Sequence, residues 1–187
     1  MSEISHLTVF TGSATGADLG YQREVRCLGT LLAQEGIGVV FGGGRVGLMG
    51  HIADAALEAG GEVRGVIPDV LVEREVAHPG LTRLDVVADM HERKRLMAEQ
   101  GDAFIALPGG MGTLEEFFET WTWQYLNIHH KPVGLYSVNG FWDPLLDMVD
   151  HMVAEGFMAE WRRDALVISD EPQELIAALR AWQMPQQ

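Results

Sequence analysis

Short unbroken apolar runs alternate along the chain with longer stretches in which apolar residues recur every three or four positions. The runs at 7–10, 38–41, 63–67, 81–87, 103–107, 131–136 and 166–168 read as strands. The stretches 18–34, 48–59, 90–100, 114–126, 142–155 and 172–182 read as helices. Gly36 and Gly60-Gly61 stop the first two helices, and Pro68 closes the third strand. Strands without a polar alternation need cover on both faces, and strict alternation of strand with helix makes their pairing parallel. The pattern predicts an α/β fold class: a single Rossmann-like domain over residues 1–187, a mostly parallel sheet with helices on both faces. The chain has the length to bury a sizeable core, and no repeat, low-complexity segment or long linker divides it. The polar loop 73–80, with Pro79-Gly80, is a candidate flap.

In such a sheet, ligands sit outside the carboxyl ends of the strands, where the small-residue turns lie. Three turns qualify. Thr11-Gly12-Ser13 follows the first strand, Gly42-Gly43-Gly44-Arg45-Val46-Gly47 the second, and Pro108-Gly109-Gly110-Met111-Gly112-Thr113 the run 103–107. Ser13, Gly43 and Gly110 are therefore expected at one edge, around something phosphorylated. The third turn runs into a helix with apolar residues at Leu114, Phe117, Phe118, Trp121 and Tyr125. Glycines let a backbone approach an oxyanion, and the N–H groups of a first helical turn point at it. No Gly-Lys-Ser/Thr closes this loop, so it is not a Walker A motif.

Glu115 and Glu116 at the exit have two readings. Thr113-Leu114-Glu115-Glu116 fits a capping box with Thr113 as N-cap and Glu116 at N3. Alternatively, one carboxylate has chemical work, because an acid beside a phosphate repels it. Upstream, Met90-His91-Glu92-Arg93-Lys94-Arg95 holds three of the chain's 13 Lys and Arg in consecutive positions. It is either a solvated helix face or a source of cationic donors for a phosphate, with Arg suited to bidentate contact.

Charge and composition exclude several classes. A formal net charge of −14 argues against a nucleic-acid partner. No apolar run reaches bilayer-spanning length and the N-terminus lacks a leader pattern, so no membrane partner is expected. Cys27, the sole cysteine, cannot form an internal disulfide; this fits a cytoplasmic location, with Cys27 as a small apolar residue on a buried helix face. The seven histidines show no metal-ligand spacing, so no metal site is expected. Gly42-x-Gly44-x-x-Gly47 matches the dinucleotide fingerprint, with Asp69 placed for a ribose. It lies on the second βα turn instead of the first, but it keeps a nicotinamide-dependent oxidoreductase open as an alternative, beside a non-enzymatic nucleotide or cofactor carrier.

Gly42-Gly43-Gly44-x-x-Gly47-Leu48-Met49-Gly50, Met90-His91-x-Arg93-Lys94 and Pro108-Gly109-Gly110-x-Gly112-Thr113-x-x-Glu116, in that order, resemble the LOG (Lonely Guy) family. The likeness continues through Thr122-Trp123, Lys131-Pro132-Val133-Gly134-Leu135 and Glu155-Gly156-Phe157. The resemblance implies a cytokinin riboside 5′-monophosphate phosphoribohydrolase. Such an enzyme hydrolyses the N-glycosidic bond of a nucleoside 5′-monophosphate, its small-molecule partner, without a cofactor. It implies Arg93 and Glu116 as catalytic residues. It implies ligand contacts at Glu75, Arg93, Lys94, Gly110, Met111, Gly112, Thr113, Leu114, Glu115, Glu116 and Thr122, and a homodimer. Trp123 lies off the apolar stripe of its helix, which suits an interface or pocket edge, or else the far wall of the core. The family is also labelled "lysine decarboxylase", but no lysine here has the setting of a pyridoxal phosphate Schiff base. Thr11 stands where the family often has cysteine; the Gly-Ser that follows is kept.

Overall fold

The computed structural model describes residues 3–72 and 76–185. The first half of the chain contains β1 (His6–Phe10), α1 (Leu19–Gln34), β2 (Gly38–Phe41), α2 (Gly47–Glu58), β3 (Val63–Pro68), the short α3 (Asp69–Val72) and β4 (Arg83–Val87). It continues with α4 (Met90–Gln100), β5 (Ala103–Ala106), α5 (Met111–Tyr125), β6 (Val133–Tyr136), α6 (Asp143–Ala154), α7 (Glu160–Asp164), β7 (Val167–Ser169) and α8 (Pro172–Ala181). The expected strands and long helices are all present. The single-turn α3, the five-residue α7 and a 3₁₀ turn at Val138–Gly140 were not foreseen, because they are too short to carry a hydrophobic period.

The seven strands form one sheet in the order β4-β3-β2-β1-β5-β6-β7, and every strand pairing is parallel. The chain builds outward from β1 to β4, then returns to the other side of β1 with β5. The order thus reverses between β1 and β5, which leaves a crevice at their carboxyl ends.

Successive side chains supply the two faces. Leu7 and Val9 of β1, Val39 and Phe41 of β2 and Ala103 and Ile105 of β5 share a core with α1, α2 and α8. Phe10, Val40, Phe104 and Ala106 point the other way, against Met97 of α4, Phe117 and Trp121 of α5 and Val149 of α6. Both faces of the central strands are dry, hence their unbroken apolar sequence. The edge strand β4 differs: Leu84 and Val86 are exposed.

Polar tethers fix the ends of the elements. Asp18 caps α1 by accepting from the Gly20 N–H at 2.8 Å. Lys131 Nζ donates to the carbonyls of Ala98 at 2.7 Å and Gly101 at 2.6 Å, closing the end of α4. The Trp142 indole donates to the Ala106 carbonyl at the end of β5 at 3.2 Å. Cys27 corrects the sequence expectation, for it lies exposed on α1 instead of on its buried face. No helix among the described residues is long and apolar enough to cross a membrane.

Tyr136 is fully buried between the sheet and α1, and its hydroxyl finds no hydrogen-bond partner among the described residues. Burial pushes its ionisation well above the ordinary tyrosine value, so it stays a neutral, unsatisfied O–H. Tyr136→Phe removes that group at nearly constant shape and is expected to stabilise the protein by about 1 kcal/mol, raising Tm by about 2–4 °C. A thermal melt checks this; a lowered Tm would mean that the hydroxyl is satisfied.

Candidate active site

The crevice is built from the three small-residue turns. The Gly12 N–H donates to the Pro108 carbonyl at 3.2 Å, joining the β1 and β5 turns. The Met49 N–H donates to the Gly12 carbonyl at 3.3 Å and the Leu48 N–H to that of Ala14 at 3.3 Å, joining the start of α2 to the β1 turn. Gly47, at φ +60°, lies so close to the Ser13 backbone that any side chain would collide. Together the turns enclose a cavity of about 240 Å3. Thr11, Gly12 and Ser13 line it from β1, Gly42 and Met49 from β2 and α2, Leu71 from α3, and Met90 and Arg93 from α4. The start of α5 contributes Gly110, Met111, Gly112, Thr113, Glu115 and Glu116.

The start of α5 settles one open reading. Its N-cap is Gly110, and no side chain caps it. Thr113 is therefore the third helical residue, 3% exposed, and Glu116 the sixth. The capping box needs Thr113 at the N-cap and Glu116 at N3, and it is not formed. A first helical turn without a side-chain cap instead lines the cavity with backbone N–H groups. Neither Gly110 nor Gly112 has a left-handed backbone, and a Cβ on either would meet no protein atom within 4 Å. The fold itself does not require glycine there. What both glycines provide is close access to the backbone from the cavity.

A cap of the expected kind is found on α4. Asp89 accepts from the Glu92 N–H at 2.8 Å, while the Glu92 carboxylate accepts from the Ala88 N–H at 3.0 Å. Three consecutive cations then leave the helix about 100° apart. Arg93 points inward and is 5% exposed. Its Nη2 donates to the Gly42 carbonyl at 3.4 Å and lies 3.8 Å from Glu116 Oε1. A side chain at Gly42 would occupy the guanidinium's place, so that glycine serves the arginine. Lys94 points toward α5 and does not line the cavity; its Nζ lies 2.6 Å from Glu115 Oε1 and 2.9 Å from Glu119 Oε2. Arg95 points to solvent, beside Glu92 and Glu99. The solvated-face reading therefore holds for Arg95 and fails for Arg93.

Other residues singled out in the sequence are more distant. Leu114 packs with the core under α5, and Thr122 is exposed, nine residues beyond Thr113 and about 14 Å along the helix. Gly43 lies buried beneath the loop at φ +80°, and its carbonyl accepts from the His78 N–H at 2.9 Å. Glu75 falls outside the described residues, as does part of the 73–80 loop. The apolar wall of Met49, Leu71 and Met90 was missed; two of these stand inside the quoted motifs, but nothing in the sequence indicates their direction. The fingerprint glycines have internal duties, Gly42 beside Arg93, Gly47 against Ser13 and Gly44 bridging Ala77. Asp69 accepts from the next residue's N–H, that of Val70, at 2.6 Å.

The fold is α/β, and at the switch point of its parallel sheet an uncapped helix start lies opposite the Arg93–Glu116 pair, an arrangement whose chemistry suits an anion beside an acid. The family model described as "Possible lysine decarboxylase" matches residues 49–179, and the chain belongs to that family, the LOG family. It is 47% identical to the cytokinin riboside 5′-monophosphate phosphoribohydrolase of Rhodococcoides fascians, over 94% of this chain and 89% of that protein. To the enzyme of the same name, LOG, from Oryza sativa subsp. japonica it is 45% identical, over 97% of this chain and 75% of the other. The molybdenum cofactor carrier protein of Chlamydomonas reinhardtii superposes with a TM-score of 0.71 at 19% identity, covering 96% and 98% of the two chains, a likeness of fold alone. The chain's two lysines, Lys94 and Lys131, both lie outside the cavity, which leaves the decarboxylase label without an amine to form a Schiff base there.

Gly112→Ala separates fold from site. Alanine in a helical turn is expected to stabilise the protein by up to about 1 kcal/mol, while its methyl group narrows access to the backbone and weakens binding of inorganic phosphate by about tenfold. Calorimetry beside a melt checks both, and tighter or unchanged phosphate binding would contradict the assignment.

Proposed function

We propose that this protein is a hydrolase that cleaves the N-glycosidic bond of nucleoside 5′-monophosphates. Its substrates are cytokinin nucleotides and AMP, and its products are the free base and ribose 5-phosphate. The observation that carries this reading is the placement of Glu116 and the uncapped start of α5 in one cavity, opposite Arg93. From Gly112 to Glu116 is about 6 Å along the helix axis, comparable to the reach from a 5′-phosphate to the anomeric carbon. The family membership and the names of the relatives support the same chemistry.

In this mechanism the N–H groups at Gly112 and Thr113 and the Ser13 turn hold the phosphate, whose binding energy orients the sugar. Breaking the C1′–N bond builds positive charge on the ribose ring. The Glu116 carboxylate stabilises that charge and draws a proton from the water that attacks C1′. The base leaves with the bonding electrons and takes up a proton. Arg93 is held in place by the Gly42 carbonyl; it faces Glu116 and donates to substrate oxygens or ring nitrogens. Glu75, Leu114, Thr122 and Gly43 belong to the same proposal as contacts, and Lys94 and Glu115 as supports.

The reading extends to a cytoplasmic homodimer of single Rossmann-like nucleotide-binding domains. The lone exposed thiol suits a reducing compartment. Tyr125, Leu126 and Ile128 form an exposed apolar end to α5 beside half-buried Trp123, the kind of surface a partner copy covers. Light scattering giving a concentration-independent mass near 20.6 kDa would contradict the dimer.

Incubation with AMP is expected to release adenine, resolved by chromatography, whereas a carrier returns AMP intact. Adenosine, which lacks the phosphate, should fall below AMP in kcat/KM by about 100-fold or more. Glu116→Gln should lower turnover by about 100-fold or more with a stability change under ~1 kcal/mol, and Arg93→Lys should not restore what Arg93→Ala loses. Equal kcat/KM on the two substrates, or an active Glu116→Gln enzyme, would overturn the assignment.

A further inference from the structure

Glu115 lines the cavity, half-exposed, one helical turn past the N–H groups that would hold a phosphate. Helical side chains lean toward the N-terminus, and a carboxylate is drawn to an uncapped helix start. Left to itself, Glu115 would compete with the anion that the site is built to accept. What restrains it is Lys94. The Lys94 side chain is 10% exposed and its ammonium sits between Glu115 and Glu119, which are four residues apart on one face of α5. Burial pulls the ammonium's pKa down, but the two carboxylates more than offset it and hold the value above that of an ordinary lysine. Lys94 is therefore charged throughout the neutral range.

We infer that Lys94 is a positioning residue for the anion site: it holds and neutralises Glu115, keeping that carboxylate away from the start of α5, and does not itself touch the ligand. This rests on the phosphate-binding part of the proposed function and refines it, because Lys94 then acts through Glu115 and not as a cationic donor. Arg93 and Lys94, though adjacent, divide the work. Arg93 faces the acid that addresses the sugar, and Lys94 silences the acid that would repel the phosphate. Glu119 is the internal control, since it pairs with the same ammonium but does not line the cavity.

The test compares Lys94→Met, Glu115→Gln, Lys94→Met/Glu115→Gln and Lys94→Met/Glu119→Gln. Each is assayed for KM and kcat on AMP, for inorganic phosphate affinity by calorimetry, and for Tm. Lys94→Met should raise KM and the phosphate Kd by about tenfold while kcat falls by less than about threefold. Adding Glu115→Gln should bring both back to within about threefold of wild type, whereas adding Glu119→Gln should recover Tm and leave KM high. Glu115→Gln alone should tighten phosphate about twofold, so the inference stays testable even if the Lys94→Met variant does not fold. A double variant as weak as Lys94→Met would mean that the lysine contacts the ligand directly and would overturn the inference. So would an unchanged KM in folded Lys94→Met, or a weakened phosphate affinity in Glu115→Gln. A wild-type protein that leaves AMP intact yet shows this phosphate pattern would fail the hydrolase reading and keep the inference.

Discussion

The contact on which the site depends is that of the Arg93 guanidinium with the Gly42 carbonyl. A buried charge is costly unless its donors are satisfied, and this contact joins α4 to the exit of β2 in meeting that demand. Residue 42 must be glycine for the guanidinium to fit, so the exit of β2 is shaped around a side chain from α4. The same guanidinium faces Glu116 on α5, across the switch point between β1 and β5. The Asp89 and Glu92 cap fixes the start of α4 one turn earlier, and so fixes the arginine. Loosening any of these would shift the guanidinium relative to the Glu116 carboxylate and the start of α5, both of which it faces across the cavity.

The proposed anion site sits in a chain of net charge −14, and backbone dipoles reconcile the two. The proposed phosphate donors are N–H groups at the start of α5, fixed in direction by the helix and unaffected by pH. Nearby carboxylates are each held in check, Glu116 beside Arg93 and Glu115 against Lys94. The acidic surface elsewhere is too far away, and too well screened, to matter as much as these few groups.

Much of this was legible in the sequence because the fold's rules are local. Unbroken apolar strands announced burial on both faces, and the strand–glycine–helix order placed the turns at one edge. Arg93 and Glu116, which the ordered motifs single out, both line the cavity. What was not legible depended on direction and register. The capping box in Thr113-Leu114-Glu115-Glu116 failed because the helix starts three residues earlier than its N-cap would require, at Met111. Meanwhile a real cap at Asp89 went unread. Three adjacent cations look equivalent in a sequence, yet rotation along the helix sends Arg93 to the cavity, Lys94 to α5 and Arg95 to water. Cys27 was expected inside because cysteines usually are, but α1 turns that position outward.

In the proposed reaction the start of α5 holds the phosphate and thereby presents the anomeric carbon to Glu116. A crystal structure of the Glu116→Gln variant with AMP would show whether it does. Phosphate oxygens are expected within hydrogen-bond distance of the N–H groups at Gly112 and Thr113, with C1′ facing residue 116 and Lys94 still on Glu115. A phosphate bound instead at Lys94, in the groove between α4 and α5, would contradict it.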